Sequence, residues 1–400
     1  MFCVDKAECG CLTVGGIPVK YRQWKDLPYV RNPQAPRLQV LNLYVPENRT
    51  EKAPVFFPNA VGGYMEAMPV IPEVYADGTA NAAAAALARG YIVASAGARG
   101  SLTKAEDRWV GKAPAAIVDL KAAVRYLKSI LPEVGGDPEK IISNGTSAGG
   151  AMSALLGVSG DALEYEPYLE AAGAVPGSDR IFASSCYCPI VNLENSDMAY
   201  EWQYGHLTPD SQESAQLKKA FPAYVNALLP GGRDMAGVDA FVREKLLQSA
   251  KTASAVPENC GIDPETGTVD LERYSAFITR MKPPAAFDSP SLSTAENLLF
   301  GSERENCRHF TPAFPGPGAE TEQVRLMNPM CFVDHHGCVQ HWRIRHGAAD
   351  RDTAFHISAM LSLSLAQRGR GVDYFLPWGV PHSGDYDLEE LVSWMEKICK

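Results

Sequence analysis

The chain has 400 residues, 46% of them hydrophobic and 21% charged, enough for a large buried core plus a further domain-sized piece. With 37 basic against 47 acidic side chains its formal net charge is −10, and no basic run occurs, so the positive footprint that phosphate binding needs is missing and nucleic acid is excluded as a partner. No stretch approaches the roughly 18 to 20 apolar residues of a membrane span, and residues 1–10 show neither a charged n-region nor an apolar h-region; the chain reads as cytoplasmic, with no membrane partner.

Residues 12–21, 38–45, 54–58, 91–95, 140–143 and 181–184 are short β-rich runs that alternate with helical stretches, the pattern of a mostly parallel sheet covered by helices on both faces. The alanine-rich segment 78–89 suits a helix. Segment 114–131 is another, with a proline at the tolerated first position and Leu120, Val124, Leu127 and Leu131 on one face. From residue 191 to 340 the rhythm breaks into a polar, aromatic, proline-containing region too long for a loop, which predicts an inserted subdomain after the sixth strand. Helices are expected there at 212–229 and 237–251, followed by a loop-rich tract at 256–330. The sheet resumes with strands at 341–345 and 372–376 and helices at 353–367 and 387–399, so residues 1–190 and 341–400 form the core. The cysteines fall in loose clusters (Cys3, Cys9, Cys11; Cys186, Cys188; Cys331, Cys338) and read as reduced thiols.

The sharpest motif is Gly145-Thr146-Ser147-Ala148-Gly149, which a strand enters and small, helix-starting residues leave. Strand, Gly-x-Ser-x-Gly and helix in that order make a nucleophile elbow: the glycines allow the tight turn, Ser147 projects its hydroxyl at the carboxyl edge of the sheet, and the Ala148 N–H points at the same spot. Serine needs a base, and the base an orienting acid, after the last two strands. His382 follows the last strand and is the only one of the histidines that does. The preceding strand runs into His346-Gly347-Ala348-Ala349-Asp350-Arg351-Asp352; Asp350 has the usual spacing for the acid, and Asp352 on the same loop is its rival. A second oxyanion donor is expected from the loop after the third strand, at Gly63 or Gly62.

Residues 331–341 pack Cys331, His335, His336, Cys338 and His341 into one tract, but their spacing matches no paired zinc-ligand arrangement, so no metal is assigned.

These residues resemble those of the bacterial tannases and their feruloyl-esterase-like relatives, within the α/β-hydrolase superfamily. The resemblance spans nearly the whole chain: segment 53–59 leading into Val61-Gly62-Gly63-Tyr64-Met65, the elbow, Cys188-Pro189-Ile190-Val191-Asn192-Leu193-Glu194, Met198-Ala199-Tyr200-Glu201-Trp202 and Trp342-Arg343-Ile344-Arg345. It implies an α/β-hydrolase fold with a lid at residues 191–340, a triad of Ser147, Asp350 and His382, and no cofactor. It further implies that the insertion supplies a lysine and a glutamate to a galloyl ring, carried here onto Lys282 and Glu296, with Asp352 as a third reader. Gallate presents three adjacent phenolic hydroxyls, and convergent charged groups far from the ester suit it. The expected substrate is a small aromatic galloyl or hydroxycinnamoyl ester. A feruloyl or chlorogenate-type esterase and a general carboxylesterase stand as alternatives on the same scaffold, and a noncatalytic hydrolase-fold binding protein as a less favoured one.

Overall fold

A computed structural model describes residues 2–228, 234–314 and 318–400 of the chain. Nine strands form one sheet: β1 (Glu8–Val14), β2 (Ile17–Pro28), β3 (Val40–Pro46), β4 (Ala53–Pro58), β5 (Ile92–Ala96), β6 (Gly136–Thr146), β7 (Ala183–Tyr187), β8 (His341–Arg345) and β9 (Gly371–Phe375). Their spatial order is β1-β2-β3-β5-β4-β6-β7-β8-β9. The first four in that order pair antiparallel and every pair from β5 onward is parallel. This is the α/β-hydrolase architecture.

β4, β5 and β7 are buried along almost their whole length because both faces of the sheet are covered. Alternate residues leave the pleat on opposite sides. Val55 and Phe57 of β4, Ile92 and Ala94 of β5 and Ile141 of β6 join a cluster with Ile117, Leu120, Val124 and Leu155 from the helices Ala115–Ile130 and Ala148–Val158. Phe56, Val93 and Ile142 face the other way, onto Ala83 and Leu87 of the helix Ala82–Ala88 and Leu391 and Met395 of the helix Leu388–Cys399. The alanine helix is short, yet it is started by the Asn81 side chain, which accepts the Ala84 N–H, and stopped at Gly90, whose φ is +83°.

One strand expectation is corrected. Residues 12–21 are not a single strand but the meeting of β1 and β2, because Gly15 and Gly16 both take positive φ and turn the chain back as a hairpin. The expected helix at 212–229 is observed as Gln212–Leu228, Leu229 lying outside the described residues, and that at 237–251 as Met235–Ala250. A further helix, Leu193–Tyr204, went unread in the sequence; nearly all its faces are buried, so it carries almost no amphipathic signature.

None of the residues between β7 and β8 that are described joins the main sheet. Their helices continue the core instead, with Phe221, Val225, Val238, Val242 and Leu246 in the same apolar cluster as Phe355, Ile357 and Leu361 of the helix Phe355–Gln367. Among the described residues no helix is long and apolar enough to cross a membrane.

Candidate active site

β6 runs directly into the elbow. Ser147 has φ +60° and ψ −122°, a conformation a side chain rarely adopts, and the helix Ala148–Val158 begins immediately after it. The strain is held from both sides: the Ser147 N–H donates to the Tyr187 carbonyl (3.0 Å), and the Ser147 carbonyl accepts the Ile190 N–H (3.3 Å). The Ala148 N–H opens the helix and is one of the amides that has no partner within it.

The loop after β4 is fastened to this turn by Asn59. Its amide donates to the Asn144 and Gly149 carbonyls, both at 3.0 Å, and its oxygen accepts the Val61 N–H at 3.2 Å. A Cβ on Gly149 would stand 2.7 Å from the Val61 carbonyl oxygen, so only glycine lets the loop approach so closely. Gly62 and Gly63 follow on that loop. Gly63 has φ +52° and abuts Ala295 of the helix Ala295–Leu299, whose next residue is Glu296, while a Cβ on Gly62 would meet open space.

The two acids of the β8 loop take different partners. Asp350 is fully buried, with Oδ2 at 2.8 Å from His382 Nδ1 and Oδ1 accepting the N–H groups of Asp352 (2.7 Å) and Thr353 (3.2 Å). Asp352 turns the other way, with Oδ1 at 2.5 Å from Lys282 Nζ. Acid and base loops are themselves locked together: Ala348 and Ala349 N–H donate to the Pro377 and Val380 carbonyls, both at 2.9 Å, and Gly347 packs where a Cβ would meet the Val380 oxygen at 2.2 Å.

Burial alone pushes the Asp350 carboxyl up, but the charge and hydrogen bonding of His346 and His382 outweigh it and hold the pKa well below the usual carboxylate range. For His382 burial lowers the pKa, and the hydrogen bonds to Asp350 and Cys188 overcome it, so the imidazole is raised above its ordinary value. His346 Nε2 lies 3.3 Å from Asp350 Oδ2, and its Nδ1 is 2.8 Å from the Ser358 hydroxyl.

Two neighbours of the triad candidates escaped the sequence reading as site residues, His346 and Cys188. The Cys188 sulfur is 3.9 Å from His382 Nε2 and donates to the Ser383 carbonyl at 3.4 Å; burial keeps the thiol protonated by raising its pKa. Among the hydrogen bonds of the described residues none joins the Ser147 hydroxyl to His382. The imidazole faces the thiol instead, and catalytic hydrogen bonds of this kind commonly tighten only with substrate in place. Cys188 had no signal beyond its place in a characteristic segment, and His346 none beyond preceding the acid by four positions.

Lys282 and Asp352, far apart in the chain, meet, and Glu296 is near enough to feel both charges. Lys282 pairs with Asp352 and stands 4.1 Å above the centre of the Phe287 ring. Glu296 is buried, which raises its pKa, and it feels the charges of both Lys282, which lowers it, and Asp352, which raises it. The Tyr64 hydroxyl, on the residue after Gly63, feels the Glu296 charge as well. The charged cluster and the loop of Gly62 and Gly63 are therefore neighbours.

Among the described residues the histidines and cysteines of residues 331–341 form no group of three ligand atoms: the His335 and His336 rings lie 4.2 Å apart, but Cys338 is buried on the Val339 carbonyl and His341 packs on Phe182. A cavity of about 470 Å³ lies apart from the site, lined by Gln34, Arg99, Trp109, Lys112 and Gln323. Two of its charged groups are engaged, Arg99 on Asp119 at 2.7 Å and Lys112 on the Leu298 and Asn306 carbonyls at 2.8 and 2.7 Å.

Comparison with known proteins agrees with the α/β-hydrolase fold. The family model BD-FAE matches residues 41–180. Over its whole length the chain is similar to the crystal structure of a Fusobacterium nucleatum tannase, with 37% identity, a TM-score of 0.94 and 99% of that chain covered. It is 38% identical to the native tannin acyl hydrolase of Lactobacillus plantarum, with a TM-score of 0.93 and again 99% of that chain covered. A tannin acyl hydrolase in complex with ethyl gallate is equally similar, at 38% identity and a TM-score of 0.94. Among curated proteins, the esterase LipQ of Mycobacterium tuberculosis is 31% identical over 88 residues, a match spanning 22% of this chain and 20% of that relative's length.

Proposed function

The chain belongs to the bacterial tannase family of esterases, and on that premise we propose that it hydrolyses galloyl esters, releasing gallic acid, through Ser147, His382 and Asp350. His382 takes the proton of Ser147 as the hydroxyl attacks the ester carbonyl. Asp350 fixes the tautomer and orientation of the ring and stabilises its charged form. The Ala148 amide, with that of Gly63 or its neighbour Gly62, holds the oxyanion. The alcohol leaves with the proton from His382, and a water activated by the same base releases the acyl group. No cofactor enters any of these steps.

The observation that carries the reading is the division of labour on the β8 loop. Asp350 is bonded to His382 while Asp352, two positions on, is bonded to Lys282, with Glu296 close enough to feel both charges. A serine-activating device and a charged, phenol-reading device thus share one loop. Residues 191–340 act as the lid that brings Lys282 and Glu296 to the sheet edge. The similarity to a tannin acyl hydrolase in complex with ethyl gallate, and to another in complex with 3,4-dihydroxybenzoate, supports a small aromatic ester as substrate.

A feruloyl-type esterase is the second reading, favoured by the BD-FAE match. That match ends at residue 180, before Lys282, Glu296 and Asp352, and so speaks for the sheet and elbow rather than for the ring reader. The test is labelling by a fluorophosphonate together with turnover of methyl gallate: both are expected in the native protein and neither in Ser147→Ala. Turnover surviving in Ser147→Ala rules the reading out.

A further inference from the structure

The segment Met198-Ala199-Tyr200-Glu201-Trp202 stood out in the sequence without a role, and it lies on the helix Leu193–Tyr204. The Tyr200 hydroxyl is a junction. It accepts the N–H groups of Lys282 (3.0 Å) and Met281 (3.3 Å) and donates to the Arg351 carbonyl (2.8 Å). Arg351 immediately precedes Asp352, whose carboxylate holds Lys282 at 2.5 Å. The contacts close a ring: Tyr200 to the Lys282 backbone, the Lys282 ammonium to Asp352, and the Asp352 backbone through Arg351 back to Tyr200.

The surrounding contacts reinforce the ring. Glu201 is fully buried and grips the Arg280 guanidinium through both oxygens, at 2.5 and 2.7 Å. Arg280 in turn donates to the Lys282 carbonyl at 2.5 Å and lies over the Tyr200 ring. Arg351 donates to the Thr279 hydroxyl at 2.6 Å, where the chain leaves the helix Leu271–Ile278 at φ +67°. A lysine side chain is long and carries about 2 kcal/mol of rotamer entropy, so its ammonium is placed only if its backbone and its counter-ion are both placed.

We propose that Tyr200 is a specificity-determining positioning residue, whose hydroxyl sets the Lys282–Asp352 pair for ring hydroxyls while taking no part in the chemistry at the ester. The proposal rests on the galloyl reading above. In that reading the pair meets the ring, and misplacing it penalises hydroxylated esters alone.

The experiment compares methyl gallate with methyl benzoate, which lacks the hydroxyls, for the full chain, Tyr200→Phe, Lys282→Met and the double variant. Phenylalanine preserves the packing of the Tyr200 ring on Tyr204 and Phe287. The fluorophosphonate labelling rate of Ser147 reports an intact triad. For Tyr200→Phe, kcat/KM on methyl gallate should fall at least about tenfold, through KM, and on methyl benzoate by about threefold or less. In the Lys282→Met background the same change should add less than about twofold, because residues acting through one another are not additive. Equal losses on both esters, additive losses in the double variant, or an unchanged ratio of the two esters overturn the proposal while leaving the galloyl reading in place. A native protein that does not prefer methyl gallate over methyl benzoate overturns both.

Discussion

Lys282 Nζ stands 2.5 Å from Asp352 Oδ1, on the loop whose Asp350 holds His382 Nδ1 at 2.8 Å, so in the proposed function a few residues after β8 would serve both ends of the substrate. Removing the reader should therefore spare the ester chemistry. Hydrogen bonds to charged groups are worth about 1.5–3 kcal/mol. Lys282→Met and Asp352→Asn are each expected to lower kcat/KM for methyl gallate by about 10- to 150-fold and to leave methyl benzoate nearly unchanged. Parallel kinetics on the two esters check this, and a common loss on both contradicts it.

The pH profile follows from the raised His382. A base must be neutral to act, so an imidazole raised above its ordinary value needs a higher pH: the acidic limb of kcat/KM should lie above pH ~6.5, activity falling as pH drops through it. Cys188 contributes to the rise, so Cys188→Ala should move the limb to lower pH. In Asp350→Asn the largest upward influence is gone and burial remains, so the His382 titration followed by NMR should drop further still. A limb at or below pH ~6 in the native protein contradicts the assignment.

Asn59 ties the loop after β4, the proposed oxyanion loop, to the elbow with two donated bonds and one accepted bond. Asn59→Ala strands buried backbone groups and should cost about 2 to 4 kcal/mol in chemical denaturation. Loosening of the loop should also lower kcat by up to about a hundredfold with little change in KM. Wild-type kcat in that variant would show that the loop does not face the oxyanion.

Gly347→Ala places a Cβ at 2.2 Å from the Val380 oxygen and 2.6 Å from that of Pro381, forcing the acid and base loops apart. A displacement of about 1 Å at such a pair costs roughly a hundredfold in rate. Steady-state kinetics should show that loss in kcat for methyl gallate and methyl benzoate alike, in contrast to the Lys282 and Asp352 variants.

The sheet and the elbow were legible because they obey local rules. The runs of β4 and β5 are short, buried and mostly apolar, and Gly145-Thr146-Ser147-Ala148-Gly149 needs little beyond its own neighbours to be recognised. The β1–β2 hairpin was missed because its alternation continues across Gly15-Gly16, and the helix Leu193–Tyr204 because burial on nearly every side erases a polar stripe. Spacing favoured Asp350 over Asp352 as the partner of a histidine, but that Asp350 turns toward His382 and Asp352 toward Lys282 depends on partners from segments remote in sequence. Tyr200, Glu201 and Cys188 stood in characteristic segments but without a role, and Arg280 gave no signal, since their partners come from remote parts of the chain.

The most direct test of the account is a side-by-side hydrolysis of methyl gallate and methyl ferulate by the purified protein, with Ser147→Ala as the blank. A strong preference for methyl gallate, abolished in the blank, is the predicted result. Preference for methyl ferulate, or equal rates on the two esters, would contradict a pocket built around Lys282, Glu296 and Asp352 to read adjacent phenolic hydroxyls.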